Sequence, residues 1–141
     1  MLEHIAQVVE KFAMQWTKPY GLLGTAVDIE PVHFVYNAAY LGLIVATWLL
    51  FRNKITKYNS TITGLFVFAI GSESWHFIEH SIKLEQHIVQ GCVSCPGILG
   101  VYFDPVLLHF VYNIVVFAPY VAIFFLINRN MLPEKVSETK L

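Results

Sequence analysis

The sequence predicts an all-α integral membrane protein with three transmembrane helices, at about 31–51, 61–82 and 105–127, preceded by an amphipathic interfacial helix. Three observations carry this expectation. Segments 31–51 and 105–127 contain no Lys, Arg, Asp or Glu, and about 20 such residues are enough for a helix to cross a bilayer. The chain is 56% hydrophobic and only 13% charged, whereas about a quarter of a soluble domain is charged. A third apolar run, "ITGLFVFAIG", begins a middle span at Ile62 and ends at Gly71.

The mean hydropathy of +0.57 agrees with a membrane protein. With 141 residues and a net charge of −1, the chain reads as one membrane domain and offers no basic surface for nucleic acid. Its first apolar segment follows a mixed amphipathic stretch rather than a charged n-region, so no cleavable signal peptide is expected.

Residues 1–20 open the chain. Leu2, Ile5, Val9, Phe12, Ala13 and Trp16 recur at helical spacing, with Glu3, Glu10 and Lys11 on other faces. This segment is expected to float at the interface or cover the bundle as a docking helix without chemistry of its own, leaving His4 outside any site. The pairs Glu30-Pro31 and Asp104-Pro105 open the first and third spans, each an acid at the N-cap with proline at N1. Pro119 is expected to kink the third span.

Orientation follows from the positive-inside rule. Arg52, Lys54, Lys57, Arg129, Lys135 and Lys140 fall on one side; Lys11, Lys18 and Lys83 fall on the other. The N-terminus and the outer loop 83–104 are therefore expected outside, and the polar tail 128–141 in the cytoplasm. That loop holds both cysteines, Cys92 and Cys95, in "GCVSCPG". A disulfide between them would persist outside the cell. The second CxxC or His pair of a zinc knuckle is missing.

The middle span turns from apolar to ionisable at "ESWHFIEH", 73–80. Glu73, His76, His80, Lys83 or Leu84, and His87 follow one another at steps of three and four that share a helix face, and Glu79 falls with Ser72, Trp75 and Lys83 on a neighbouring one. His87 continues the face but rises above the membrane. Spans one and three repeat a word: "HFVYN" occurs at 33–37 and again at 109–113. Alternating directions bring the outer ends of all three spans together. At about 1.5 Å per residue, His33, His76, His80 and His109 then lie at one level.

Ionisable groups in a bilayer are costly and mark function by default. Four neutral imidazoles at one level suit a transition metal: copper or zinc for histidine alone, and iron or zinc if Glu73 joins. The expected metal ligands are His33, His76, His80, His109 and Glu73. Asn37, Asn113, Tyr36 and Tyr112 are expected to orient the imidazoles through hydrogen bonds. The function expected is a small metal-binding subunit of a larger membrane oxidoreductase or metal-handling complex, partnered by lipid and by other membrane subunits or copies of itself. Ligation of haem or chlorophyll is one alternative; a non-catalytic assembly subunit is another. "HFIEH" also matches the inverted zincin string, but the large soluble scaffold of those enzymes is absent. No nucleophile–base pair or nucleotide fingerprint is present, so no reaction is readable.

Overall fold

The chain is described by a computed structural model covering residues 2–24, 29–58, 60–92 and 94–131, with the side chains of 54–58 and 130–131 left aside. Lys135 and Lys140 lie outside the described residues, as do the side chains of Lys54 and Lys57.

The protein is all-helical. α1 spans Leu2–Val8 and continues as a π-helical turn, Val9–Ala13. α2 spans Glu30–Tyr58, α3 spans Ser60–Gln90 and α4 spans Pro105–Met131. A short 3₁₀ turn, Leu99–Val101, precedes α4. α2 and α4 both pack on α3, and α1 packs on α4.

Among the described residues two helices, not three, are long and apolar enough to cross a membrane: Glu30–Asn53 and Pro105–Arg129. α3 has the length but carries Glu73, Glu79, Lys83 and Glu85 in its second half. It also runs past the expected end at 82. Gly91, at φ +68°, stops it by adopting the left-handed conformation, and its N–H reaches the carbonyl of His87 at 3.0 Å. The loop that holds the cysteines therefore begins at 91 rather than 83.

One stripe of α3 faces its neighbours along its whole length. Ile62, Phe66, Ala69, Glu73, His76, His80 and Lys83 are all buried, at alternating steps of four and three. The first half of this stripe packs with Ile44 of α2 and with Val116 and Ile123 of α4 as the apolar core. From Glu73 onward the same stripe is ionisable. Many large apolar side chains face outward instead, among them Val35, Leu50, Val67, Phe124 and Phe125.

α1 covers the bundle with its polar face inward. Its apolar side chains Leu2, Ile5, Val9 and Phe12 are exposed, and Gln7 is buried. The polar face packs inward because it has partners there. Lys11 pairs with Asp104. Glu3 accepts the backbone N–H groups of Leu22 and Leu23 at 2.8 and 3.0 Å. Glu10 accepts those of Tyr20 and Gly21 at 2.6 and 2.8 Å.

The two acid-proline pairs also differ. Asp104 is a true cap, with Oδ1 accepting from Val106 and Leu107 at 3.0 and 3.2 Å. Glu30 is already the first residue of α2 and turns its carboxylate into the bundle. α4 continues through Pro119 to Met131.

Candidate functional site

Five imidazoles from four helices gather at one end of the bundle, where α2 and α4 begin and the second half of α3 lies. His76 and His80, one turn apart on α3, have ring centroids 4.7 Å apart. His33 of α2 stacks on His80 at 5.4 Å, and His109 of α4 lies 5.0 Å from His80. His33 and His109, the two histidines of the repeated word, are 5.9 Å apart. The helix faces and alternating directions thus bring together the four histidines singled out in the sequence. The fifth is His4, which stacks on His109 at 5.9 Å. Its sequence signal was the polar stripe Glu3, His4, Gln7 and Lys11, opposite the apolar stripe on the same helix.

His80 and His109 approach most directly, with their Nε2 atoms 3.2 Å apart. Nδ1–H of His109 donates to the carbonyl of Pro105 at 2.7 Å. A carbonyl only accepts, so the lone pair of neutral His109 is on Nε2. Nδ1 of His80 faces Oε2 of Glu30 at 3.2 Å. An ionised carboxylate also only accepts, so Nε2 of His80 is likewise left as the lone-pair nitrogen. Two facing lone pairs repel unless a proton or cation lies with them.

Lys83 is the nearest cation. It is only 2% exposed, although loop position had placed it among the outer charges. Its Nζ is 3.9 Å from Oε1 of Glu30 and 3.5 Å from Nε2 of His109. Glu30, His80, His109 and Lys83 therefore form one network across three helices. Glu30 and Lys83 were missed as site residues because one looked like a cap and the other like a loop charge.

The remaining expected residues divide. His76 is buried, with no hydrogen-bond partner for its Nδ1 among the described residues; its ring lies 4.5 Å from that of Tyr112. Glu73 is 1% exposed and sits one turn deeper. Its Oε1 is also unpartnered among the described residues, and no hydrogen bond there joins it to an imidazole. Asn37 and Asn113 do not orient imidazole rings. Each donates its amide to the carbonyl four residues earlier, of His33 at 2.8 Å and His109 at 2.9 Å. The hydroxyl of Tyr112 accepts from the indole of Trp75 at 2.7 Å.

Beside the imidazoles lies a cavity of about 330 Å³. His4, His33, His76 and His109 line it, with Asn37, Asn113, Tyr36 and Tyr40. Tyr36, expected among the orienting groups, is a wall of this space.

The cysteine loop closes over the C-terminal end of α3. Cys92 and Cys95 form a disulfide. His87 Nδ1–H donates to the carbonyl of Cys92 at 2.6 Å, so His87 belongs to the loop and not to the cluster. Glu79 likewise serves the loop, not Lys83: its Oε1 accepts from the N–H groups of Ile98 and Leu99 at 2.9 and 3.0 Å. Gly97 has φ +68°, and a Cβ there would overlap the Glu79 carboxylate and the Lys83 stem.

Among the described residues, no three His, Cys, Asp or Glu side chains stand in a ready-made metal-binding arrangement. No family model, curated protein or solved structure matches the chain.

Proposed function

We propose that this chain is a polytopic membrane protein whose polar core binds a transition-metal ion, with His80 and His109 as the first two ligands. The facing Nε2 atoms carry this reading. Two metal–nitrogen bonds of the length usual for zinc, at a tetrahedral angle, set their nitrogens roughly 3.3–3.4 Å apart; here they are 3.2 Å apart. The Nδ1 atoms already have the outer partners that metal-bound histidines use, a carboxylate and a backbone carbonyl. His33 and His76 have rings within 5.9 and 6.0 Å of His109 and stand as further ligands after side-chain rotation. Lys83 withdraws toward Glu30 when the ion enters. Copper and zinc suit this imidazole set, and iron would draw on Glu73 as well. A haem would need two imidazoles across a flat slot, and the facing pair is in direct contact.

The membrane reading is supported by the two apolar helices and by the inverted burial pattern. Glu73, His76, Glu79, His80 and Lys83 are inside, and large apolar side chains such as Val35, Leu50, Phe124 and Phe125 are outside. α3 completes a three-span bundle by holding its ionisable residues against α2 and α4. The charge count supports an outer N-terminus and disulfide loop and a cytoplasmic C-terminus.

Elemental analysis of protein purified in detergent, without added metal or chelator, tests the proposal. Stoichiometric copper, zinc or iron is expected, falling to background in His80→Ala with His109→Ala. Folded protein without metal would sink it. The position of Lys83 favours the second reading: an ion-free polar network that fastens three helices in an assembly subunit.

A further inference from the structure

The cavity beside the imidazoles calls for its own occupant. At about 330 Å³ it is in the size range of small-molecule sites. Its polar groups come in matched sets, because each copy of "HFVYN" contributes a histidine and an asparagine one turn apart, His33 with Asn37 and His109 with Asn113. Each asparagine uses one amide hydrogen within its own helix and retains another, together with its amide oxygen. His76 adds an independent sign of a missing partner: it is 3% exposed, lines the cavity, and its Nδ1 is unpartnered among the described residues.

The lining also limits the ligand's charge. Among the described residues that line the cavity there is no Lys or Arg, so these offer an anionic headgroup no counter-ion. The carboxylate among these described residues, Glu3, is engaged by the N–H groups of Leu22 and Leu23, so a cation gains little from it. A neutral molecule with hydrogen-bond acceptors at two ends fits this chemistry. The entrance adds a further constraint. Tyr36 lines the cavity yet is 65% exposed, next to Val35 at 63%, on the apolar segment of α2. A ligand passing Tyr36 comes from the lipid side, so it must dissolve in a bilayer.

We infer that this cavity binds the ring of a lipid-soluble quinone, with its two carbonyls taken by the donors of the α2 and α4 walls and of His76. The inference rests on the membrane reading above but not on the metal, and binding alone is proposed.

The test is equilibrium binding of a short-chain benzoquinone to the full chain in lipid nanodiscs, before and after chelator treatment. Alkaline extraction of native membranes tests the membrane reading separately. Saturable one-to-one binding that survives chelation is expected, weakened about tenfold or more in Asn113→Leu and in His76→Phe, as loss of a buried hydrogen bond implies. Should His76→Phe fail to fold, Tyr36→Trp blocks the exposed entrance and should weaken binding in the same way. Non-saturable uptake, equal in every variant, is partition into lipid and overturns the inference. Binding abolished by chelation assigns the cavity to the metal and overturns it too.

Discussion

His80 and Glu30 lie fifty positions apart in the chain, yet the Nδ1 of one faces the carboxylate of the other at 3.2 Å. This contact turns the Nε2 of His80 toward His109. Glu30 therefore acts on the site without entering it. Glu30→Gln should weaken metal binding by about 10- to 100-fold, as loss of an outer-shell partner does, while His80 and His109 remain in place. Competition with a chromophoric chelator measures it; unchanged affinity would remove Glu30 from the site.

Lys83 separates the two readings of the network. A bound cation is repelled by the ammonium, so under the metal reading Lys83→Met should tighten binding by at least about tenfold. Under the ion-free reading, the same change leaves the partly buried Glu30 carboxylate with His80 alone and should destabilise the fold by about 1–3 kcal/mol. Metal titration and thermal unfolding of this one variant decide between them.

The ion pair between Lys11 and Asp104 fastens α1 over the site. Partial burial works against ionisation of Asp104, but the Lys11 ammonium and the N–H groups of Leu107 and Val106 hold its carboxyl below the usual carboxylate range. A lowered folded-state value means the stabilisation is complete above the unfolded Asp value of about 4 and fades as pH falls through the folded one. Protection of the α1 amides, taken relative to the intrinsic exchange rate at each pH, should therefore fall at acid pH, and Asp104→Asn should show the low protection at every pH. Equal rates in both proteins across the range would count against this tether.

Gly97 meets a steric limit and a backbone limit together. Its φ is +68°, and a Cβ would meet the Glu79 carboxylate that holds Ile98 and Leu99. Gly97→Ala should cost about 1–3 kcal/mol, read as a lower unfolding midpoint with the disulfide intact. Gly42, which has open space around it, should tolerate alanine.

The outward apolar face of α1 predicts contact with lipid. Trp16 is exposed beside it, so brominated acyl chains should quench its fluorescence in a variant with Trp48 and Trp75 replaced by Phe. Lack of quenching would place α1 in water.

The sequence by itself determined the helices and the level of the histidines. Two charge-free stretches fixed α2 and α4, and the steps of three and four in "ESWHFIEH" fixed the face that His76 and His80 share. These are local properties: length and periodicity decide which side chains point together. Alternating helix directions then brought His33 and His109 to the same end. Only the tertiary structure decided which polar groups meet that face. Helix periodicity shows that α1 has a polar side and an apolar side, but not which one docks. The environment chose, because Asp104 and the turn at Tyr20 to Leu23 reward the polar side, and His4 came with it. The same holds for Glu30 and Lys83. A cap position and a loop charge come to face one another only when α2 and α3 pack side by side, since a charge leaves water only where the fold supplies opposite charge and hydrogen bonds.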